Sequence, residues 1–505
     1  MKSTLTACFA VLLALNGYAA QQQILSKVYT IDRKYRSMEG PSSVQKIYLG
    51  DPAKPELLWI TGMRTEMVAA DGSTPQPSNL MCHVNIDLDT ALHQALFDFS
   101  RPTAARLMTL SQGMLSATLP PGYGFPIVSS EPLLLFTQVL NLNIDHPKDL
   151  EVRHRVTIDY VRDADLKAPM KPLFNLGASG MVQLQDNALA LASMTSQGEH
   201  HGPSCLIGVR APQAQSSSAD YVDPSGRHMT GHWTVPPGRQ VNASDITWFL
   251  NLPYDTKLHY AAVHLHPFAE SLTIRDTTTG RTIMTSHATN PEVGIGLTHV
   301  DAFSSEAGVI LHKDHKYELI SVYDNTSGAN ADSMASAFLG LDDPEFHHPT
   351  AETLARRLAV IRDSRQLVIH TSAGDVTALL AREAAPSVSI QVARLALAGV
   401  FDHATTTSYP AEVRIEVPVT REVFREIQPL DADRGLPPEA GTIAYCPSAV
   451  GSPDVRLEIR TEDVPVSDGR CIGFARLGGG QTVVRALHEA PKGVSAFVRS
   501  IDSSR

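Results

Sequence analysis

The sequence predicts a mainly β protein in which two antiparallel β-sandwiches precede a smaller third module. Three observations carry this. Between Val28 and Asp342, short runs rich in Val, Ile, Leu, Thr and Tyr alternate with Pro, Gly, Asn and Asp clusters. The runs include "PELLWIT" (55–61), "LLLFTQVLNLNI" (133–144), "VRHRVTIDYV" (152–161), "ITWFLNL" (246–252), "SLTIRD" (271–276) and "KYELISVYDN" (316–325). The chain has 505 residues, too many for one core, and this β stretch is long enough for two sandwiches. Helical spacing takes over at "HHPTAETLARRLAVIRDS" (347–364), where Leu354, Leu358 and Ile361 share a face and Pro349–Thr350 suits a helix start. A new module follows, reading strand, turn, strand, then helix from about Ser387 to Ala398.

Hydrophobic residues make up 43% and charged residues 19%, an ordinary globular composition. The net charge is −11 with the basic residues scattered, which excludes a nucleic-acid or acidic-membrane footprint. The N-terminus "MKSTLTACFAVLLALNGYAAQQQ" reads as a signal peptide over residues 1–20, cut near Ala19 or Ala20. Cys8 precedes the apolar core, so the segment is no lipidation site, and no later segment is apolar enough for a membrane span. A periplasmic or secreted location is expected. Export permits disulfides. Cys446 and Cys471 could pair within one module, and Cys82 could pair with Cys205; spacing alone leaves the connectivity open. The polar stretch 210–228 is expected to be a loop or insertion near the junction of the sandwiches.

The chemistry centres on "KLHYAAVHLHPFAESLTI" (257–274). Side chains alternate along a strand, so His264 and His266 project together while Leu265 points the other way. Two imidazoles on one face can reach one ion, and imidazole suits copper, zinc, iron and nickel. A third ligand is needed. The remaining clusters read as ordinary: His312 and His315 in a hairpin turn, His347 and His348 before a helix, His287 and His299 in loops.

Residues 233–274, "WTVPPGRQVNASDITWFLNLPYDTKLHYAAVHLHPFAESLTI", resemble the copper type II, ascorbate-dependent monooxygenases, such as peptidylglycine α-hydroxylating and dopamine β-monooxygenases. The resemblance rests on a Pro-Pro-Gly turn and strands leading to a His-x-His pair. It implies a catalytic copper on His264 and His266, with a downstream methionine as third ligand, which falls on Met334 in "YELISVYDNTSGANADSMASAFLGL" (317–341). A thioether favours Cu(I). The family's first domain holds a second copper on an adjacent His-His pair and a later histidine. Here those segments match "LMCHVNIDLD" (80–89), which reads Cys82–His83, and "LLLFTQVLNLNID" (133–145), where Leu140 stands at the histidine position. Leucine cannot bind copper, so His83 is read as the remnant of that site. Cys82, His154, His200, His201, Met63 and Met67 could rebuild it but read as packing or loop residues. One copper per chain is therefore expected, with an external electron donor and an unknown small-molecule or peptide substrate.

Residues 372–402, 439–460 and 471–491 resemble cyclophilin-type peptidyl-prolyl isomerases in order along the chain. The resemblance implies a β-barrel with flanking helices. At the catalytic positions it departs. "HATTTSYPAEVRIEV" (403–417) places Thr and Ser where phenylalanine and the catalytic arginine belong, with Arg414 out of register, and "SPDVRLEI" (452–459) lacks an aromatic wall. An inactive binding or docking module is expected.

The expected organisation is a first sandwich over 24–172, a second over 173–346 with an insertion at about 186–228, a linker helix over 347–365, and a cyclophilin-like β-barrel over 366–505. Both sandwiches are expected to be jelly-roll-like. The expected function is a copper-dependent, monooxygenase-like oxidoreductase. The alternatives are a non-enzymatic copper-handling protein and a peptide-binding or isomerase module.

Overall fold

The computed structural model describes residues 20–35, 39–99, 101–148, 150–183, 220–417, 435–446, 456–463, 471–490 and 496–504. Residues 1–19 of the expected signal peptide, His200, His201, Cys205 and most of the expected insertion lie outside the described residues.

The chain is mainly β, with its strands in antiparallel sheets and few helices. In the first sandwich, strands Ala20–Leu25, Leu150–Arg162, Leu57–Ala69 and Tyr123–Val128 face a sheet of Ser42–Ile47, Leu133–Val139, Met81–Leu88 and Arg106–Ser111. In the second, Lys171–Ser179, Ala335–Asp342, Thr256–Leu265 and Phe303–Leu311 face Gly238–Asp245, Tyr317–Asn325, Ala269–Asp276, Arg281–Thr289 and His299–Val300. The two share a sheet. Lys171 and Pro172 pair in parallel with Tyr123 and Gly124, and the same strand pairs antiparallel with Ala335–Asp342. One ten-stranded sheet therefore runs through both sandwiches, and a single apolar core spans them.

The burial patterns follow from this layering. Tyr317–Asn325 covers the core with one face, so Tyr317, Leu319, Ser321, Tyr323 and Asn325 are buried and the residues between them half-buried. Met81–Leu88 is buried at every position, and Thr256–Leu265 at every position but Lys257. Strands covered on both faces lose the period-2 signal.

Several local expectations are corrected. The run 246–252, expected as a strand, forms the short helix Thr247–Leu250. The Asp245 carboxylate accepts from the Thr247 N–H, and Asn251 ends the turn in the left-handed region at φ 37°. A short apolar run does not separate strand from helix. Within the expected loop 210–228, Asp220–Val222 pairs with His228–Thr230. Asp223 turns this hairpin by accepting from the N–H groups of Ser225 and Arg227, both at 2.9 Å. His287 and His299 lie in strands rather than loops.

The helix Ala351–Asp363 starts where Thr350 accepts from the Thr353 N–H at 3.1 Å. Its Leu354 and Ile361 pack against Leu92, Leu96 and Phe97 of helix Thr90–Phe97. Helix Pro386–Leu397 of the last module joins the same contact, and Arg394 pairs with Asp89. Strands from Gln366–Thr371 to Ala496–Ser504 close into an eight-stranded barrel that carries this helix and Gln481–His488. Cys446 and Cys471 form a disulfide across 25 residues. Among the described residues, no helix is long and apolar enough to cross a membrane.

Candidate metal centre

The site forms where two sheets exchange a strand. His264 is the penultimate residue of Thr256–Leu265, opposite Ser336, and Leu265 is opposite Ala335. A two-stranded sheet pairs Trp233 with Ser333 and Thr234 with Asp332. Each ladder, continued by one residue, brings position 334 opposite 266 in the first sheet and opposite 232 in the second. Met334 is thus the crossover residue between them. The rung at 266 is opened by Tyr323, whose hydroxyl accepts from the His266 N–H at 3.3 Å and donates to the Met334 carbonyl at 2.5 Å. Burial raises the Tyr323 pKa to about 12, so the hydroxyl keeps its proton.

The imidazoles form a continuous edge-to-face row. Ring centroids of His264 and His266 lie 5.3 Å apart at 85°. His232 stands 5.3 Å beyond His266, and His83 of the first sandwich lies 6.0 Å from His264. His264 is 6% exposed and His266 3%. Both ring nitrogens of His264 and both of His266 are buried without a hydrogen-bond partner. Asp332 lies 3.4 Å from His266 Nδ1 but outside hydrogen-bonding geometry. Orphaned buried polar atoms cost on the order of 1–3 kcal/mol each and are rare, so four on adjacent rings call for a ligand. Neutral imidazole is the form that binds metals. Burial, then the neighbouring imidazoles His266, His83 and His232, then Arg106, hold His264 well below the ordinary histidine value. Burial, then Arg106, then His154 and His266, take His83 down to about 3.

The structure therefore brings together His264, His266 and the backbone of Met334, with Met334 itself 2% exposed. It also brings His83 against His264, across the junction. Ser111 Oγ donates to the Val263 carbonyl at 3.3 Å beside them. The junction is packed at these residues.

His83 Nδ1 lies 3.3 Å from Cys82 Sγ. Leu140 is buried, and its N–H donates to the Leu80 carbonyl. His154 Nε2 lies 3.2 Å from the Gln138 carbonyl, and burial takes its pKa down to about 4. Met63 and Met67 pack in the core. His312 and His315 are each paired to an aspartate, as is His348.

Sequence reasoning missed His232 and Asp332. Donor atoms of His232, His266 and Asp332 lie within 4.8 Å of one another. The only signal in the sequence was adjacency: His232 directly precedes "WTVPPG", and Asp332 lies two residues before Met334.

Tyr323→Phe tests the opened rung. It would leave the His266 N–H and Met334 carbonyl unsatisfied, with an expected stability loss of about 1–3 kcal/mol. Metal affinity is expected to fall by about 10–100-fold. Urea unfolding and metal titration of the variant measure both.

No family model matches the chain, and no curated protein matches it. Among solved structures, a cyclophilin-type peptidyl-prolyl cis-trans isomerase from Cryptosporidium parvum is similar at 17% identity. It covers 28% of this chain and 99% of that chain, with a TM-score of 0.23. PNGase F, a glycosylasparaginase from Flavobacterium meningosepticum, is similar at 9% identity over 64% of this chain and 96% of that chain, with a TM-score of 0.27. The cowpea mosaic virus top component is similar at 11% identity over 67% of this chain and 96% of that chain, with a TM-score of 0.27. None of these likenesses assigns a family.

Proposed function

We propose that the chain is an exported, copper-binding, monooxygenase-like protein with one copper held by His264, His266 and Met334. The observation that carries this reading is the set of four buried ring nitrogens on His264 and His266 without hydrogen-bond partners. Bound copper would supply one-electron chemistry toward dioxygen. The residues of the chain hold and orient it. Tyr323 fixes the backbone at both His266 and Met334, and the surrounding apolar strands exclude water. With Leu140 at the position of the missing histidine, the second electron of a hydroxylation would come from an external donor.

One observation favours the non-enzymatic alternative, copper handling. His264 and His266 are 6% and 3% exposed, and His83 lies against His264. Such burial suits retention of an ion and access by small reactants better than a bulky substrate. Purified protein is expected to carry about one copper per chain, and His264→Ala to lose it. Oxygen uptake with ascorbate and a candidate substrate separates an oxidoreductase from a carrier. A chain that takes up no copper contradicts both forms.

The barrel is proposed as an inactive docking module. The Arg414 guanidinium donates to Glu412 at 2.6 Å, lies 3.6 Å from Glu458 and stacks over Tyr409. A cation committed to two carboxylates is a poor electrophile for a prolyl amide. The full-length chain is expected not to accelerate prolyl isomerisation of a test peptide; turnover comparable to an active cyclophilin would overturn this.

A further inference from the structure

We infer that His232, His266 and Asp332 form a sulfur-free binding site for a divalent first-row cation of the zinc type. The inference deepens the proposed metal centre, with which it shares His266.

The spacing of the donors carries it. Asp332 Oδ2 lies 3.4 Å from His266 Nδ1, and Asp332 Oδ1 lies 3.6 Å from His232 Nδ1. The first contact lies outside hydrogen-bonding geometry, and the second is longer than a hydrogen bond. They match two donors on one tetrahedral ion, which stand about 3.4 Å apart when each is about 2.1 Å from the metal. Other histidine–carboxylate pairs in this chain close fully. His93–Glu131 and His299–Asp301 stand at 2.9 Å, His312–Asp255 at 2.8 Å and His315–Asp276 at 2.7 Å. The Asp332 carboxylate faces two imidazoles at these longer separations. The His266 nitrogens are buried without hydrogen-bond partners, so this ring points at the site with its donor capacity unused.

The chemistry of the set selects the ion. Two imidazoles and a carboxylate suit Zn(II) and other divalent ions, whereas a thioether draws Cu(I). Three protein ligands leave a fourth position for water or a small ligand. His232 and His266 side chains are 7% and 4% exposed, but that of Asp332 is 28% exposed. The carboxylate is thus the solvent-facing edge by which an ion enters. The local fold fixes it there: Asp332 pairs with Thr234 in the short ladder that also positions His232.

The test titrates the metal-free full-length chain with Zn(II) and, separately, with Cu(I), by competition with a chelator of known affinity. Asp332→Asn and His232→Gln are each expected to weaken Zn(II) binding at least about tenfold. X-ray absorption of the zinc-loaded wild-type chain is expected to show nitrogen and oxygen neighbours only. It decides the matter even if a variant fails to fold. Zn(II) affinity indifferent to both Asp332→Asn and His232→Gln, or a sulfur neighbour at about 2.3 Å, overturns the inference. The copper reading fails separately, if the wild-type chain binds Zn(II) but not Cu(I).

Discussion

Arg101→Met is expected to lower the unfolding free energy by about 3–5 kcal/mol. Arg101 follows helix Thr90–Phe97, and its partner Asp343 ends the second sandwich. The guanidinium donates to Asp343 Oδ2 from Nε at 3.0 Å and from Nη2 at 2.5 Å. Both side chains are 1% exposed. The rings of Phe99 and Phe174 lie 4.0 and 4.5 Å from the guanidinium carbon. Tyr254 donates to the other carboxylate oxygen at 3.1 Å, and burial followed by the Asp343 charge raises the Tyr254 pKa, so it remains a donor. Methionine replaces the volume but leaves Asp343 charged and buried. Denaturant unfolding measures the loss, and the double variant Arg101→Met/Asp343→Leu is expected to recover most of it, because the uncompensated charge is then gone. A single-variant loss below about 1 kcal/mol would mean that the pair does not clamp the two sandwiches.

His266→Ala is expected to remove metal binding of every kind, because this ring belongs both to the proposed copper set and to the divalent site. Affinity is expected to fall by more than about a hundredfold, beyond the effect of losing an outer partner. Stability reports it independently. A site that binds only the folded chain stabilises it by about 2.7 kcal/mol when the free ion is at a hundred times Kd. The wild-type chain is expected to gain this in unfolding experiments with added ion, and the His266→Ala chain to gain nothing. A variant still stabilised by copper or zinc would place the site elsewhere.

The sequence made the architecture legible where one face of a strand is wet. Tyr317–Asn325 alternates and was read correctly, and the Pro349–Thr350 start of Ala351–Asp363 was visible because capping is a local event. The run 246–252 was misread because burial of Phe249 and Leu250 looks the same in a helix turn and a strand. Helix Thr90–Phe97 was overlooked although Asp89 caps it, since its apolar face is short and meets a helix some 260 residues later. The His-x-His pair was legible because a period of two is fixed by the strand itself. His232 and Asp332 were not. They approach His266 only through a two-stranded ladder between segments about 100 residues apart in the chain, a long-range pairing that carries no local signature. The junction between the sandwiches was likewise hidden, because the parallel pairing of Lys171 and Pro172 involves just two residues.

The most direct test of a metal at the paired imidazoles is an anomalous-difference map of the copper-loaded chain, recorded at the copper absorption edge. One peak is expected among His264, His266 and their neighbours, about 2.0–2.1 Å from an imidazole nitrogen. A map with no peak there, and with the ring nitrogens of His264 and His266 hydrogen-bonded instead to protein groups or ordered water, would contradict it.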